Sequence, residues 1–271
     1  MRIVVLVENT CGREGCEARH GLSFYIETKC HRLLMDTGPD DALLHNAQIL
    51  DIDLHTTDTV VISHGHYDHA GGVLPFASVN PHAKIIMQKN ALQPHYNAER
   101  YIGIDPKIAE LPELELISGN KRIDDELFIF TGVKGRRNFP EGNLSMRTTV
   151  DGRSTPDDFS HEQHLVISSG GRSILLSGCA HSGILNILDR YKELFGKLPD
   201  IVMSGFHMMK NDGPYTKEEI SLIEDTAREL VQTNTTFYTG HCTSRPAFEI
   251  MQKIMGSQIQ ELCTGKEIFF S

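Results

Sequence analysis

The sequence predicts an α/β fold in which two mixed sheets pack face to face with helices outside them. Short runs rich in β-branched and aromatic residues recur along the chain, and amphipathic helical patterns lie between them. In each half of the chain, predicted strands come first and predicted helices come last. This order is typical of layered α/β proteins. No Pro/Ser-rich linker divides the 271 residues, so we expect a single domain that spans residues 1–271.

The predicted strands are short and mostly hydrophobic. Their limits follow from β-branched and aromatic enrichment, with turn residues between them. They cover residues 3–7, 22–27, 32–36, 59–62, 84–87, 127–132, 164–168, 173–177, 201–204, 236–239 and 267–270.

Three helices are predicted in the second half of the chain. Residues 183–195 carry apolar side chains at helical spacing and stop at Gly196. The segment Thr216-Lys-Glu-Glu219 is a capping-box pattern that begins a second helix. Pro246 near the start and Gly256 after the end bound a third helix.

Composition and charge argue against several classes of function. The formal net charge of −10 argues against a broad nucleic-acid footprint, because phosphate binding needs a basic face. The first residues lack a signal-peptide pattern, and no apolar stretch approaches the roughly 20 residues of a membrane span. We expect a cytoplasmic protein with a small-molecule substrate and neither nucleic acid nor membrane as a partner. Cys11 and Cys16 are expected to be free loop thiols.

Four metal-binding side chains lie within six consecutive positions directly after the predicted strand at 59–62. They are His64, His66, Asp68 and His69, in the segment Ser63-His-Gly-His-Tyr-Asp-His69. The first two histidines can converge on one ion, whereas Asp68 and His69 can reach a second ion nearby. A solvated loop would not require this spacing behind a hydrophobic strand. The segment therefore predicts a metal site.

These residues resemble the signature of the metallo-β-lactamase superfamily, and the resemblance extends along most of the chain. Within the superfamily, the sequence is similar to the dihydropterin-ribofuranosyl-aminobenzene-phosphate synthase-like branch. The resemblance implies a four-layer αββα sandwich with a metal site along one edge, where loops from both halves meet. The matching segments are His20–Ile26, Leu33–Gly38, Ser63–His69, Leu175–Gly183, Ile201–His207 and Phe237–Thr243.

The superfamily pattern also implies a ligand set. His64 and His66 would bind the first ion, and His181 would complete it, with His161 and His164 as alternatives. Asp68 and His69 would lie at the second ion together with His241. The resemblance implies one or two zinc ions, with iron or manganese as alternatives. Asp36 would orient a ligand histidine or brace the loop rather than bind metal.

Cys179 departs from the superfamily pattern. It stands where the superfamily commonly has an Asp that bridges both ions, directly after the predicted strand at 173–177. A thiolate can bind zinc, so Cys179 is a candidate ligand of the second ion. The alternative is a small buried residue packed beneath the site. Loss of the bridging carboxylate would weaken the second ion.

Further residues are candidates for catalysis and substrate binding. Asp68 would orient the nucleophile and accept its proton, and His207 would contact substrate or support a ligand. His20 is a candidate for substrate binding. Residues 134–161 have little hydrophobic periodicity and are a candidate lid. Arg136 and Arg137 in this segment either recognise a phosphate group or are solvated surface charges.

Together these observations favour a metal-dependent enzyme that acts on a small anionic or phosphorylated substrate. It would be a hydrolase or, as the branch name implies, a transferase of the dihydropterin synthase type. The alternatives are a di-iron redox protein and a non-catalytic ligand sensor on the same fold.

Overall fold

The fold is described by a computed structural model that covers residues 1–210 and 213–270. The strands in chain order are β1 (Arg2–Val7), β2 (Ser23–Glu27), β3 (Arg32–Met35), β4 (Thr59–Val61), β5 (Lys84–Gln88), β6 (His95–Asn97), β7 (Arg100–Tyr101), β8 (Leu114–Ile117), β9 (Lys121–Arg122), β10 (Leu127–Phe130), β11 (Met146–Val150), β12 (Arg153–Pro156), β13 (His164–Ser169), β14 (Arg172–Leu176), β15 (Ile201–Met203), β16 (Thr236–Thr239), β17 (Ile259–Glu261) and β18 (Glu267–Phe269).

The α-helices lie between the strands and follow the parallel strands of each half. They are α1 (Ala42–Ile49), α2 (Tyr67–Ala70), α3 (Val73–Val79), α4 (Ile184–Phe195), α5 (Lys217–Leu230) and α6 (Arg245–Met255). The capping box predicted for α5 is formed, because the Thr216 hydroxyl accepts from the backbone N–H of Glu219 and the Glu219 carboxylate accepts from that of Thr216. Within the part of the chain described, none of the helices is long and apolar enough to cross a membrane.

The two large sheets share one design. The first has the order β18-β1-β2-β3-β4-β5-β8, and the second has the order β17-β16-β15-β14-β13-β10-β9. In each sheet a block of parallel strands adjoins a block of antiparallel strands: β3, β4, β5 and β8 are parallel in the first sheet, and β14 to β17 are parallel in the second. A third, small sheet has the order β12-β11-β6-β7.

Alternate residues of each large sheet face two different cores. In β1, Ile3 and Val5 belong to a core that also contains Leu165 and Leu176 of the second sheet. Val4 and Leu6 of β1 face the opposite side and pack with residues of α1 and α3. The outer face of the second sheet packs in the same way against α4, α5 and α6. The result is four layers, αββα, and the predicted fold class is confirmed.

The small sheet occupies much of the segment that the sequence indicates as a candidate lid. Residues 134–161 contain the hairpin of β11 and β12, and β11 pairs with β6. The buried side chains of β11 are Met146 and Thr148, one apolar and one polar, and β12 is largely exposed. Without an apolar buried face, the period-2 signal that reveals a strand in a sequence is lost.

Candidate metal centre

Loops at the carboxyl ends of parallel strands carry the predicted metal-binding side chains. The loop after β4 carries His64 and His66 and leads into α2. Cys179 and His181 follow β14, and His241 follows β16. Because β14, β15 and β16 are parallel, their carboxyl ends meet at one edge of the second sheet. That edge faces the loop after β4, so the two halves supply one site.

One group of donor atoms matches the predicted second ion. Nε2 of His69 lies 3.1 Å from Sγ of Cys179 and 3.2 Å from Nε2 of His241. Oδ2 of Asp68 lies 3.3 Å from the same nitrogen of His241. All four side chains are buried, and their donor atoms lie within 4.8 Å of one another. Two imidazoles, a carboxylate and a thiol are a donor set that suits a divalent transition metal.

A second group of donor atoms matches the predicted first ion. Nε2 of His64 and Nε2 of His181 are 3.3 Å apart. The rings of His66 and His181 are 4.8 Å apart between centroids. The donor atoms of His64, His66 and Asp68 also lie within 4.8 Å of one another. The structure therefore places His181, rather than His164, beside His64 and His66, since His164 instead bonds the Ser177 hydroxyl at 2.8 Å.

Hydrogen bonds at Nδ1 orient four of the five candidate ligand histidines. In each of these four rings Nδ1 faces an oxygen atom, so that Nε2 is free to bind a metal ion. A fixed tautomer of this kind is usual for histidines that bind metal. The pairs are His64 with Oγ of Ser63 (2.8 Å), His69 with Oδ2 of Asp36 (2.6 Å), His181 with Oδ1 of Asn143 (2.9 Å) and His241 with Oδ1 of Asn9 (2.9 Å).

The Asp36 carboxylate joins the start of the loop after β4 to the candidate ligand His69 in α2. Its carboxylate accepts from Nδ1 of His69, from the backbone N–H of Ser63 at 2.6 Å and from the Ser63 hydroxyl at 2.7 Å. Burial alone would lower the pKa of His69, but the Asp36 and Asp68 carboxylates raise it to about 9. A metal ion must therefore displace a proton from His69. Asp36 both orients a ligand and braces the loop.

Two features of the group fit a metal ion. Nε2 of His66 is buried and has no hydrogen-bond partner, which is costly for a polar atom unless a ligand satisfies it. Burial also raises the pKa of the Cys179 thiol well above its usual value. A cation beside Sγ would favour the thiolate. The residues present therefore fit a divalent metal centre.

A buried network lies behind the first-ion loop. Nδ1 of His161 accepts from the backbone N–H of Gly65 at 2.9 Å, so Nε2 carries the proton and faces Asp157 at 3.3 Å. His95 also donates to Asp157, at 2.8 Å. Burial would raise the pKa of Asp157, but the neighbouring imidazoles of His161 and His95 hold it well below its usual value. Through the Gly65 amide, Nδ1 of His161 positions the backbone between His64 and His66, and the donor atoms of His66, His95, Asp157 and His161 also lie within 4.8 Å of one another.

A cavity of about 370 Å³ opens onto the candidate metal centre. His207 lines it, with its ring centroid 4.2 Å from that of His181. His20 lies at its edge, where Nε2 is 3.7 Å from Oδ2 of Asp68. The guanidinium of Arg100 donates to the hydroxyl of Tyr67 at 2.9 Å, and both residues line the cavity.

The sequence model of the metallo-beta-lactamase superfamily matches residues 17–214. An uncharacterised protein of Methanocaldococcus jannaschii is 33% identical over 215 residues, which are 76% of this chain and 79% of the relative. The chain belongs to the metallo-β-lactamase superfamily. The resemblance that the motifs indicate is thereby confirmed.

Other members of the superfamily are similar over the whole chain. A solved structure described as a metal-dependent hydrolase of the β-lactamase superfamily has a TM-score of 0.84 and 31% identity, over 100% of this chain and 99% of its own. The 7,8-dihydropterin-6-methyl-4-(beta-D-ribofuranosyl)-aminobenzene-5'-phosphate synthase of M. jannaschii is 23% identical over 290 residues, 100% of this chain and 97% of the relative. Zn²⁺-bound PqqB from Methylobacterium extorquens, at 11% identity and a TM-score of 0.57, covers 100% of both chains and shows the fold alone.

Arg136 and Arg137 do not line the metal cavity of this superfamily member. Arg137 forms ion pairs with Asp189 and Glu229. Arg136 lies over the ring of Phe139, with its guanidinium carbon 4.9 Å from the centroid, and borders a separate cavity. Among the described residues that line this cavity, Arg100 is the one Lys or Arg, and it lies on the strand β7 that sequence analysis did not predict.

Sequence analysis also missed the residues that orient the ligands. Asn9 and Asn143 are isolated polar residues in loops, each more than 35 positions from the histidine that it holds. Nothing in their local sequence indicates a partner. Glu162 is a similar case, since its carboxylate accepts from the backbone N–H of His181 at 2.7 Å. Asp36 is the exception, because its motif at a strand end points to such a role.

We predict that His64→Ala and His66→Ala each remove the first metal ion and leave a folded protein, because each deletes a nitrogen donor that no neighbouring side chain replaces. Elemental analysis after dialysis should show about one ion fewer per chain. His82→Ala, at an exposed histidine, is the matched control. Unchanged metal content in both ligand variants would refute the assignment.

The buried network generates a separate prediction. Asp157→Asn removes the carboxylate that holds His161 against the Gly65 amide, and we expect the first ion to bind about 10-fold to 100-fold more weakly. Competition with a chelator measures this affinity. The neighbouring exposed Asp158→Asn should leave it unchanged. Equal affinities in the two variants would show that the loop holds its position without the network.

Proposed function

We propose that this protein is a metal-dependent hydrolase that acts on a small anionic substrate. The observation that carries the proposal is the pair of donor groups at the floor of a cavity whose rim holds Arg100. The cavity is small, about 370 Å³, which suits a metabolite rather than a polymer. The similar structure described as a metal-dependent hydrolase supports the same reaction class.

Ions held by these donor groups would supply the chemistry that lowers the pKa of a water molecule towards about 7 and polarises the electrophile. Asp68 orients that water and takes its proton at Oδ2. Burial would raise the pKa of Asp68, but His69 and His241 hold it well below its usual value, so the carboxylate is ionised. The Asp68 side chain lies between the metal centre and the cavity.

His20 is placed to contact the substrate. Its Nδ1 faces the side-chain amide of Asn9 at 3.3 Å, and the same Asn9 accepts from His241 through Oδ1. The Asn9 amide therefore donates to Nδ1, and the proton of His20 lies on Nε2, towards Asp68 and the cavity. Burial lowers the pKa of His20, which keeps the ring neutral near pH 7. His20 thus presents an N–H donor to a substrate oxygen.

A synthase reaction is a second candidate, because the dihydropterin synthase of M. jannaschii aligns with the whole chain. In that reaction an aromatic amine attacks a pterin methylene carbon, the carbon–oxygen bond to diphosphate breaks, and the amine loses a proton. Metal ions held by the same donor groups would stabilise the departing diphosphate. The two reactions differ in their products: hydrolysis consumes water, whereas the synthase joins two substrates and releases diphosphate.

The test is a substrate screen with protein whose metal content has been measured. Small phosphoesters and other anionic esters should be hydrolysed, and His64→Ala should abolish the turnover. Release of diphosphate only when a pterin diphosphate and an aromatic amine are both present would favour the synthase. Tight ligand binding without turnover would indicate a sensor. Two irons with a redox-dependent visible signal would indicate electron transfer.

Arg100 provides a prediction about substrate charge. Arg100→Ala should raise KM for an anionic substrate about 10-fold or more, because a charged hydrogen bond contributes about 1.5–3 kcal/mol, and should change kcat little. An uncharged analogue should show a much smaller effect. Arg136→Ala is the matched control, since that guanidinium lies at the separate cavity. A larger effect of Arg136→Ala would instead support phosphate recognition by the segment 134–161.

A further inference from the structure

We propose that the thiolate of Cys179 is a bridging ligand that binds both metal ions through one sulfur atom. The inference rests on the metal dependence proposed above and goes further, since it assigns the donor that couples the two positions. Two side chains in the described part of the chain have donor atoms in groups on both sides of the centre, Asp68 and Cys179. Asp68 and Cys179 lie on different sides of the metal centre.

Cys179 lies on the protein side of the centre. Its side chain is 3% exposed, and Sγ lies 3.1 Å from Nε2 of His69 in the second-ion group. The same Sγ lies within 4.8 Å of the donor atoms of His64 and His181 in the first-ion group. Asp68 is the more exposed of the two, and it also contacts His20 at the mouth of the cavity.

Bond lengths allow one sulfur atom to serve both positions. A zinc–sulfur bond is about 2.3 Å long, so two such bonds can span ions up to about 4.6 Å apart. Paired ions in enzymes usually lie about 3.5–4 Å apart. The two donor groups are close enough for one sulfur atom to serve both, because Sγ of Cys179 lies within 4.8 Å of the donor atoms of each group. On binding, the Cys179 thiol releases its proton to solvent.

The backbone around Cys179 is built for this close approach. A Cβ atom on Gly178 would lie 2.2 Å from Oγ of Ser63 and 3.0 Å from Nδ1 of His64, so only glycine lets the end of β14 meet the first-ion loop. The carbonyl of Gly178 accepts from the backbone N–H of Gly205 at 2.8 Å. Cys179 is therefore held between the two loops by its neighbours, independently of any ion.

Cys242 offers a matched comparison. It is also 3% exposed, and its Sγ lies 3.5 Å from the backbone carbonyl of Cys179. The backbone N–H of His207 donates to that sulfur at 3.3 Å. Cys242 falls in a donor group with Cys179 and His207 but in none of the three groups that contain His64 or His69. Replacement of Cys242 should therefore leave the binding of both ions unchanged.

The experiment loads the full chain with two equivalents of ¹¹³Cd²⁺ and measures the cadmium NMR spectrum and the ultraviolet thiolate-to-metal charge transfer, without substrate. Native protein and Cys242→Ser should show two cadmium resonances, both shifted in the direction of sulfur ligation. Charge-transfer absorption should grow with both equivalents. Cys179→Ser should lose the band and both sulfur shifts, and should bind the second ion at least tenfold more weakly. Circular dichroism checks that it is folded.

A second variant keeps the proposal testable if Cys179→Ser does not fold. Cys179→Asp supplies a carboxylate that can also bridge, so it should retain two ions while losing the charge-transfer band. One sulfur-shifted resonance in native protein would overturn the proposal, because it would make Cys179 a terminal ligand. A band that survives in Cys179→Ser and disappears in Cys242→Ser would assign the ligand to Cys242. Neither result depends on turnover, so failure of the proposed reaction is distinguished from failure of the bridge.

Discussion

The Asp36 carboxylate is the constraint on which the first half of the centre depends. It is fully buried, at the end of β3, in a residue whose φ of 62° is unusual for a side chain other than glycine. Three hydrogen bonds from Ser63 and His69 satisfy the carboxylate. Because it holds both the start of the ligand loop and a ligand in α2, the spacing of His64 and His69 is set before any ion binds. Such preorganisation reduces the cost of ordering the ligands on binding.

The second half meets the first through close backbone contacts rather than through long side chains. Gly178 approaches Ser63, and Gly205 approaches Cys242, where an added Cβ atom would lie 2.4 Å from Sγ. The Gly178 contact brings the carboxyl end of β14 against the loop after β4, and the Gly205 contact packs the ends of β15 and β16 together within the second half. The parallel strands thus explain why residues from distant parts of the chain form one site: each strand delivers its ligand to the same edge.

The predictable and unpredictable parts of the molecule differ in a physical way. Strands such as β1 and β14 are predictable because one or both faces are buried, which imposes a hydrophobic pattern. Cys179 and His181 could be found because they follow such a strand. The hairpin of β11 and β12 has no comparable buried face, and Arg100 precedes it on a two-residue strand. Asn9 and Asn143 act through one hydrogen bond each, which leaves no periodic signal.

Charge balance links the metal centre to the substrate class. Two divalent ions would bring four positive charges into a buried site. The donor side chains would supply only two negative charges, one from Asp68 and one from the Cys179 thiolate. Asp36 adds one more through His69, but its charge is shared with hydrogen bonds from Ser63. Buried charge is costly unless it is compensated. The proposed anionic substrate and a hydroxide ion would supply the missing negative charge, and Arg100 at the rim adds to the local positive potential in a chain whose net charge is −10. The centre would therefore attract small anions although the protein as a whole repels them.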